Sequence, residues 1–362
     1  MPAAATAAHS EREPELSISR LEVKLCATPP THLSSQLQPP DTYSYTMASA
    51  TQASAVLRRS LLYVPGSSTR MLQKSRSLKA DCIAYDLEDS VTLSQKPVAR
   101  QQIREVLSLP RAQGIREQAV RINAVDTGMA LADLNEILKA QHVDAIVVPK
   151  VNKASDLTFV ADVLAASGHP NARSIRLIAL IESARAVMDI RSICLSVPQL
   201  SGLIFAAEDF SLDLSLTRTP SLTEFLFARQ TIVAAARAYE LDGGAIDLVC
   251  TDFRDTGEGG ALVRECRDGN GIGFKGKQCI HPSQTEVVER LFAPQEERVR
   301  DAVRLLCAEK HAERQGRGSW TLDGKMVDRP VIEAARKVLE KAQLAGLETE
   351  RFWREFRDVT PE

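Results

Sequence analysis

LIALIES at residues 177–183 and LSGLIFAAEDF at 200–210 are two apolar runs, rich in Ile and Leu, that each end on acids. Glu182 closes the first, and Glu208 and Asp209 close the second. Between them, residues 184–195 alternate apolar and polar at helical spacing, so the unit reads strand, helix, strand. In a parallel sheet the carboxyl ends of successive strands share one edge, where Glu182 and Asp209 would converge. Hard cations such as magnesium take oxygen ligands of this kind, one or two carboxylates completed by water and substrate oxygens. The same acids also suit helix N-caps, a position that Asp favours.

Working outward, short apolar runs recur at 61–64, 82–87, 119–122, 145–148, 175–181, 202–206, 245–249 and 278–280. Amphipathic segments at 69–79, 96–107, 130–140, 154–165 and 222–239 occupy most of the gaps. Eight strands alternating with helices is the count of a (β/α)8 TIM barrel, an α/β fold. A doubly wound open sheet is the alternative. After Pro282 the pattern turns helical, at 285–291, 294–312 and 330–344. GSWTLDGKMVDRP, between the last two, carries Asp323-Gly324 as a hairpin turn signal. The expected organisation is a leader over residues 1–56, a barrel over 57–292, and a C-terminal helical extension or lid over 293–362.

Composition narrows the function. The 362 residues carry 45 Lys and Arg against 47 Asp and Glu, a net charge of −2, which leaves no footprint for nucleic acid or an anionic membrane. No apolar run approaches the ~20 residues of a spanning helix. The seven cysteines form no C-x-x-C pair, and Cys82, Cys250 and Cys279 fall in or beside apolar runs, as buried thiols do. The first 55 residues, rich in Ala, Ser, Thr and Pro, show no sustained periodicity and read as disordered or removable. They lack the apolar core of a secretory signal. Residues 17–59 have the serine-rich, acid-poor character of a mitochondrial transit peptide, while Glu11, Glu13 and Glu15 run against it. Mitochondrial placement is the expectation, the cytoplasm the alternative.

Barrel enzymes keep their chemistry at the carboxyl ends of the strands. Here those ends read VPGSSTR, then Asp86 to Asp89, Arg121-Ile122-Asn123, Pro149-Lys150, Glu182, Glu208-Asp209, Thr251-Asp252 and His281-Pro282. Nearly every one is polar although the strand bodies are apolar, which points to an active site at this rim. GIGFKG at 271–276 matches a dinucleotide fingerprint in spacing but precedes a strand instead of following one, and Gln278 spoils a P-loop. It reads as a flexible loop. With His281 the only suggestively placed histidine, a three-histidine zinc site is not expected.

VPGSS, DLEDSV followed by KPVAR, VRIN, VPKV, LIALIES, AAEDF, GFKGKQCIHP and DGKMVDRP, in this order over residues 58–344, together resemble the citrate lyase β-subunit-like group of the HpcH/HpaI aldolase superfamily. The resemblance implies a magnesium-dependent TIM barrel that makes or breaks a carbon–carbon bond in a small 3-hydroxyacyl-CoA thioester such as malyl-, citramalyl- or citryl-CoA. The products would be acetyl-CoA or acetate and a 2-oxo acid. By the same resemblance Glu182 and Asp209 hold Mg2+, and Arg121 and Glu182 contact the substrate. Arg121 serves the chemistry with Asp328, an acid/base on a C-terminal lid that reaches a neighbouring subunit. Lys74 and Arg70 lie near the CoA phosphates, and the assembly is an oligomer, a trimer by analogy. Ala206 departs from the glycine usual before A-E-D.

Each residue also has a plainer reading. Arg121 suits a buried salt bridge to Glu88 or Asp89, Asp328 a helix N-cap just before Pro330, and Lys74 a solvated helix face. Two other functions stay open: a CoA-independent 2-oxo acid aldolase, and a non-catalytic CoA-binding or assembly subunit.

Overall fold

The computed structural model describes residues 56–362, so the expectations for the leader, and Cys26, lie outside the described residues. The eight apolar runs form parallel strands: β1 Ser60–Pro65, β2 Ala80–Asp86, β3 Ile115–Arg121, β4 Ala145–Val148, β5 Arg176–Ile181, β6 Leu200–Phe205, β7 Gly244–Asp247 and β8 Gly276–Cys279. Each pairs with the next, and β8 pairs back onto β1 through Leu61 and Gln278, closing the barrel. The open sheet is thereby excluded.

Apolar runs this continuous belong to strands buried on both faces, and the period of two decides which side each residue serves. Leu61, Cys82, Ala84, Ala119, Ala145, Val147, Ile178, Leu180, Ile204 and Ile246 fill the lumen. Their neighbours Leu62, Ile83, Val120, Ile146, Leu177, Ala179 and Leu203 pack outward against the helices. Continued one step beyond the lumen layers, the inward phase falls on Tyr63, Asp86, Arg121 and Glu182. At the other end it falls on Glu117, whose carboxylate pairs with the fully buried Arg58 through two bonds of 2.5 and 2.8 Å.

The helices of the barrel are α1 Thr69–Ser75, α2 Lys96–Ser108, α3 Ala130–Ile137, α4 Ala154–Ala166, α5 Ala184–Met188, α6 Ile190–Cys194, α7 Ala207–Leu214, α8 Leu226–Ala238, α9 Ala261–Ile272 and α10 Pro282–Phe292. Three differ from the sequence reading. The segment after β5 is two short helices that meet at Asp189. Asp209 does not close β6: the strand ends at Phe205 and Asp209 is the third residue of α7. The supposed loop at 271–276 begins inside α9, which Gly273 stops at φ +115°, and is cut to three residues, 273–275, before β8 starts at Gly276. A helical glycine is needed at Gly269, where a Cβ would fall 2.4 Å from the carboxylate of buried Asp247.

The C-terminal extension has its own apolar core, including Val303, Ala308, Trp320, Val327, Leu339 and Phe352. It comprises α11 Glu296–Arg314, the antiparallel hairpin β9 Trp320–Leu322 and β10 Lys325–Val327, α12 Arg329–Leu344 and α13 Glu350–Glu355. The hairpin turns at Asp323 and Gly324, both at positive φ, as that dipeptide dictates. The end of α12 lies under the amino-terminal face of the barrel, where the Leu344 carbonyl accepts from Arg116 at 3.2 Å. That face is opposite the rim. All six described cysteines are buried and free.

Candidate active site

The top inward layer builds the site. Asp86, last in β2, accepts two bonds of 2.7 Å from Arg121, last in β3. The third guanidinium nitrogen lies 2.9 Å from Glu88, and the group stacks over the Tyr63 ring at 4.6 Å. Tyr63 in turn donates to Gln278 on β8 at 3.0 Å. Arg121 is therefore locked in plane, with Asp86 taking two of its five donors. Burial opposes the Asp86 charge, yet the Arg121 bonds, with Ser90 and the Glu88 N–H, hold its carboxyl below the usual aspartate range. The plainer reading of Arg121 as a salt-bridge partner is thus realised, with Asp86 as the main partner.

Glu182 follows β5 directly and is only 5% exposed. Its Oε1 accepts from the Lys150 N–H at 2.7 Å. Ser183, not Glu182, caps α5, and Ala206 is the N-cap position of α7, so neither acid serves as a cap. Asp209, on the first turn of α7, brings its carboxylate to that of Glu182. Burial pushes the Glu182 carboxyl up to about 8, against the Lys150 N–H, and the Glu88 and Asp209 charges add to it. Lys150, two residues past β4, places Nζ 2.8 Å from Glu88 and 3.9 Å from Asp209. Burial also raises the Glu88 carboxyl, although Arg121 and Lys150 pull it down.

Two carboxylates facing each other, one buried and too basic, form a donor set that a hard cation would relieve, and their oxygens are the ligands magnesium takes. Among the described residues no group of three or more His, Cys, Asp or Glu is placed to hold a metal. A cation held by this pair would leave positions for substrate and water, as catalytic sites require.

The raised Glu182 carboxyl has a consequence for stability. Between the ordinary glutamate value and about 8 the folded protein holds one proton more than the unfolded chain, so metal-free stability falls as pH rises through that window. Glu182→Gln is expected to raise the melting temperature in chelator at pH 8 by ~3 °C or more. A lower melting temperature in the variant would assign Glu182 a structural role.

The other expected residues lie apart. Arg70 and Lys74 are exposed on α1, after β1, and neither is in an ion pair among the described residues. Asp328 is the N-cap of α12, its side chain accepting from Val331 N–H at 3.3 Å, so the capping reading holds as far as one chain goes. No hydrogen bond or ion pair joins it to the rim of its own barrel among the described residues. His281 caps α10 and stacks on Phe253 at 5.0 Å. Lys150, Asp86 and Glu88 are visible as strand-end polar residues, but only Glu88 has a reading from sequence, as a salt-bridge partner of Arg121, which it is. Their part in the site emerges only when the register places them together.

A closed barrel whose carboxylates, arginine and lysine converge past the strand ends defines a barrel enzyme with a cation-ready acid site. The family model for HpcH/HpaI aldolase/citrate lyase matches residues 59–282, and the chain belongs to that family. It is 36% identical over 298 residues to the mitochondrial citramalyl-CoA lyase of Rattus norvegicus, covering 79% of this chain and 86% of that one. It is 38% identical to citrate lyase subunit beta of Haemophilus influenzae, over 79% and 97% of the two chains. The crystal structure of CitE from Mycobacterium tuberculosis in complex with magnesium, acetoacetate and coenzyme A superposes with a TM-score of 0.64 at 30% identity, covering 80% of this chain and 99% of that one. This chain is a carbon–carbon lyase of the citrate lyase β-subunit type.

Proposed function

We propose that the protein cleaves, or in reverse forms, a small 3-hydroxyacyl-CoA thioester of the citramalyl-CoA or malyl-CoA kind, with Mg2+ held by Glu182 and Asp209. The single observation behind this reading is the carboxylate pair beside a fixed guanidinium at the barrel rim. When bound, the cation supplies Lewis-acid polarisation and lowers the pKa of the substrate hydroxyl. The chain does the rest. Glu182, fixed by the Lys150 N–H, borders the oxo-acid half of the substrate. Arg121, locked by Asp86, presents permanently charged donors to the oxygen on which charge develops as the bond breaks, with no reorganisation. Asp328 of a neighbouring copy moves the proton at the carbon next to the thioester carbonyl. Lys74 and Arg70, at the open end of β1, meet the CoA phosphates.

The related lyases named above, and a solved relative holding magnesium, acetoacetate and coenzyme A, support the substrate class. An oligomer is part of the proposal. Met188 on α5, Leu212 on α7 and Phe227 on α8 are 79%, 80% and 69% exposed, an apolar surface suited to a second copy. We also place the protein in the mitochondrion, in keeping with the rat relative, and cell fractionation tests this. No helix among the described residues is long and apolar enough to cross a membrane.

The decisive assay offers purified protein a panel of acyl-CoA thioesters with and without magnesium. Release of acetyl-CoA with pyruvate or glyoxylate, dependent on magnesium, is expected. Turnover of no thioester would end the thioester reading, and turnover of the free acids, insensitive to CoA, would favour an aldolase.

A further inference from the structure

Lys150 is built in a way that a surface lysine is not. Its backbone lies at φ +51°, the left-handed region that costs a residue with a Cβ. That conformation aims its N–H at Glu182 Oε1, 2.7 Å away, while the side chain turns back over the rim. There the ammonium meets Glu88 at 2.8 Å, and Asp89 and Asp209 both at 3.9 Å. One residue thus touches the site's acids with both of its donors: its N–H fixes one acid of the pair and its charge faces the other.

We infer that Lys150 is a tethered counter-ion, a positioning residue that neutralises the rim acids while no divalent cation is bound and competes with that cation for Asp209. The inference rests on the functional reading above in taking Glu182 and Asp209 as the cation's ligands. The left-handed backbone keeps the ammonium within reach of Asp209, 3.9 Å away, while the N–H holds Glu182. On entry of a divalent ion the ammonium falls back on Glu88 alone. The lysine then tunes the affinity downward, so that the acids are charge-balanced when empty and still exchange the ion. A lysine that served only to hold the loop would have the opposite effect, since its loss would loosen the ligands and weaken binding.

The test compares the wild-type protein with Lys150→Met, which keeps the length and backbone preference of lysine, and with Lys150→Gly, which relieves the strain and keeps the N–H. Magnesium chloride is the titrant in calorimetry. Both variants are expected to bind magnesium about tenfold more tightly than wild type, because a positive charge close to a divalent ion has been removed. Unchanged or weaker binding overturns the inference. The second readout needs no metal. Lys150→Met is expected to lower the melting temperature in chelator, and to lower it less in a Glu88→Gln background, where the stranded carboxylate is gone. Strictly additive effects would overturn it equally. Absence of magnesium binding in the wild type would sink the functional reading, and the melting cycle would then decide the role of Lys150 by itself.

Discussion

Replacing Asp209 with asparagine is expected to lower kcat/KM for the preferred thioester by about 10³-fold or more, the scale of the several kcal/mol that a bound cation contributes to developing charge. The substitution preserves shape and helix start, since Asp209 is an α7 first-turn residue and not its cap. The neighbouring Glu208 provides the control. Its carboxylate turns away to Arg218, and Glu208→Gln is expected to keep most of the activity. Steady-state kinetics at saturating magnesium separate the two. Comparable losses in both variants would mean that α7, and not one carboxylate, is what matters.

The second large effect concerns Asp328. Asp328→Asn is expected to cost 10²–10⁴-fold in kcat, the range for a positioned proton-transfer group. Because α12 runs from Asp328 to the amino-terminal face of its own barrel, the side chain must serve another copy if it serves any rim. Two inactive proteins, Asp209→Asn and Asp328→Asn, are therefore expected to regain activity when unfolded and reassembled together. At equal mixing about a quarter of the sites would pair one intact Asp209 with one intact Asp328. Mixtures as inactive as their parts would leave Asp328 as a helix cap.

Much of the barrel and part of its rim are legible in the sequence. All eight strands stood out because a barrel strand is buried on both faces and reads as an unbroken apolar run, with its polar residues pushed to the ends. Glu182 and Arg121 stand at two of those ends, and the period of two, carried two residues past Leu180 and Ala119, aims both inward. Asp209 reads as the end of a strand because Ala206 and Ala207 prolong the apolar run, but β6 stops at Phe205, Ala206 is an extended N-cap and Ala207 opens α7. The glycines at 269 and 271 hid the end of α9, because Gly269 answers to the carboxylate of Asp247 and not to a loop. Lys150 was legible as a strand-end residue and illegible as a site residue. Its role depends on a positive φ, which lysine does not advertise, and on register with strands far away in sequence. The site proposed for Asp328 would lie on another copy of the chain, beyond what a single sequence encodes locally.

The central claim, that Glu182 and Asp209 together grip one divalent cation at the barrel rim, is tested most directly by magnesium titration of wild type, Glu182→Gln and Asp209→Asn at pH 8. One ion per chain in the wild type, and none in either variant at the concentrations that saturate it, is the predicted result. Equal binding by all three proteins would contradict it.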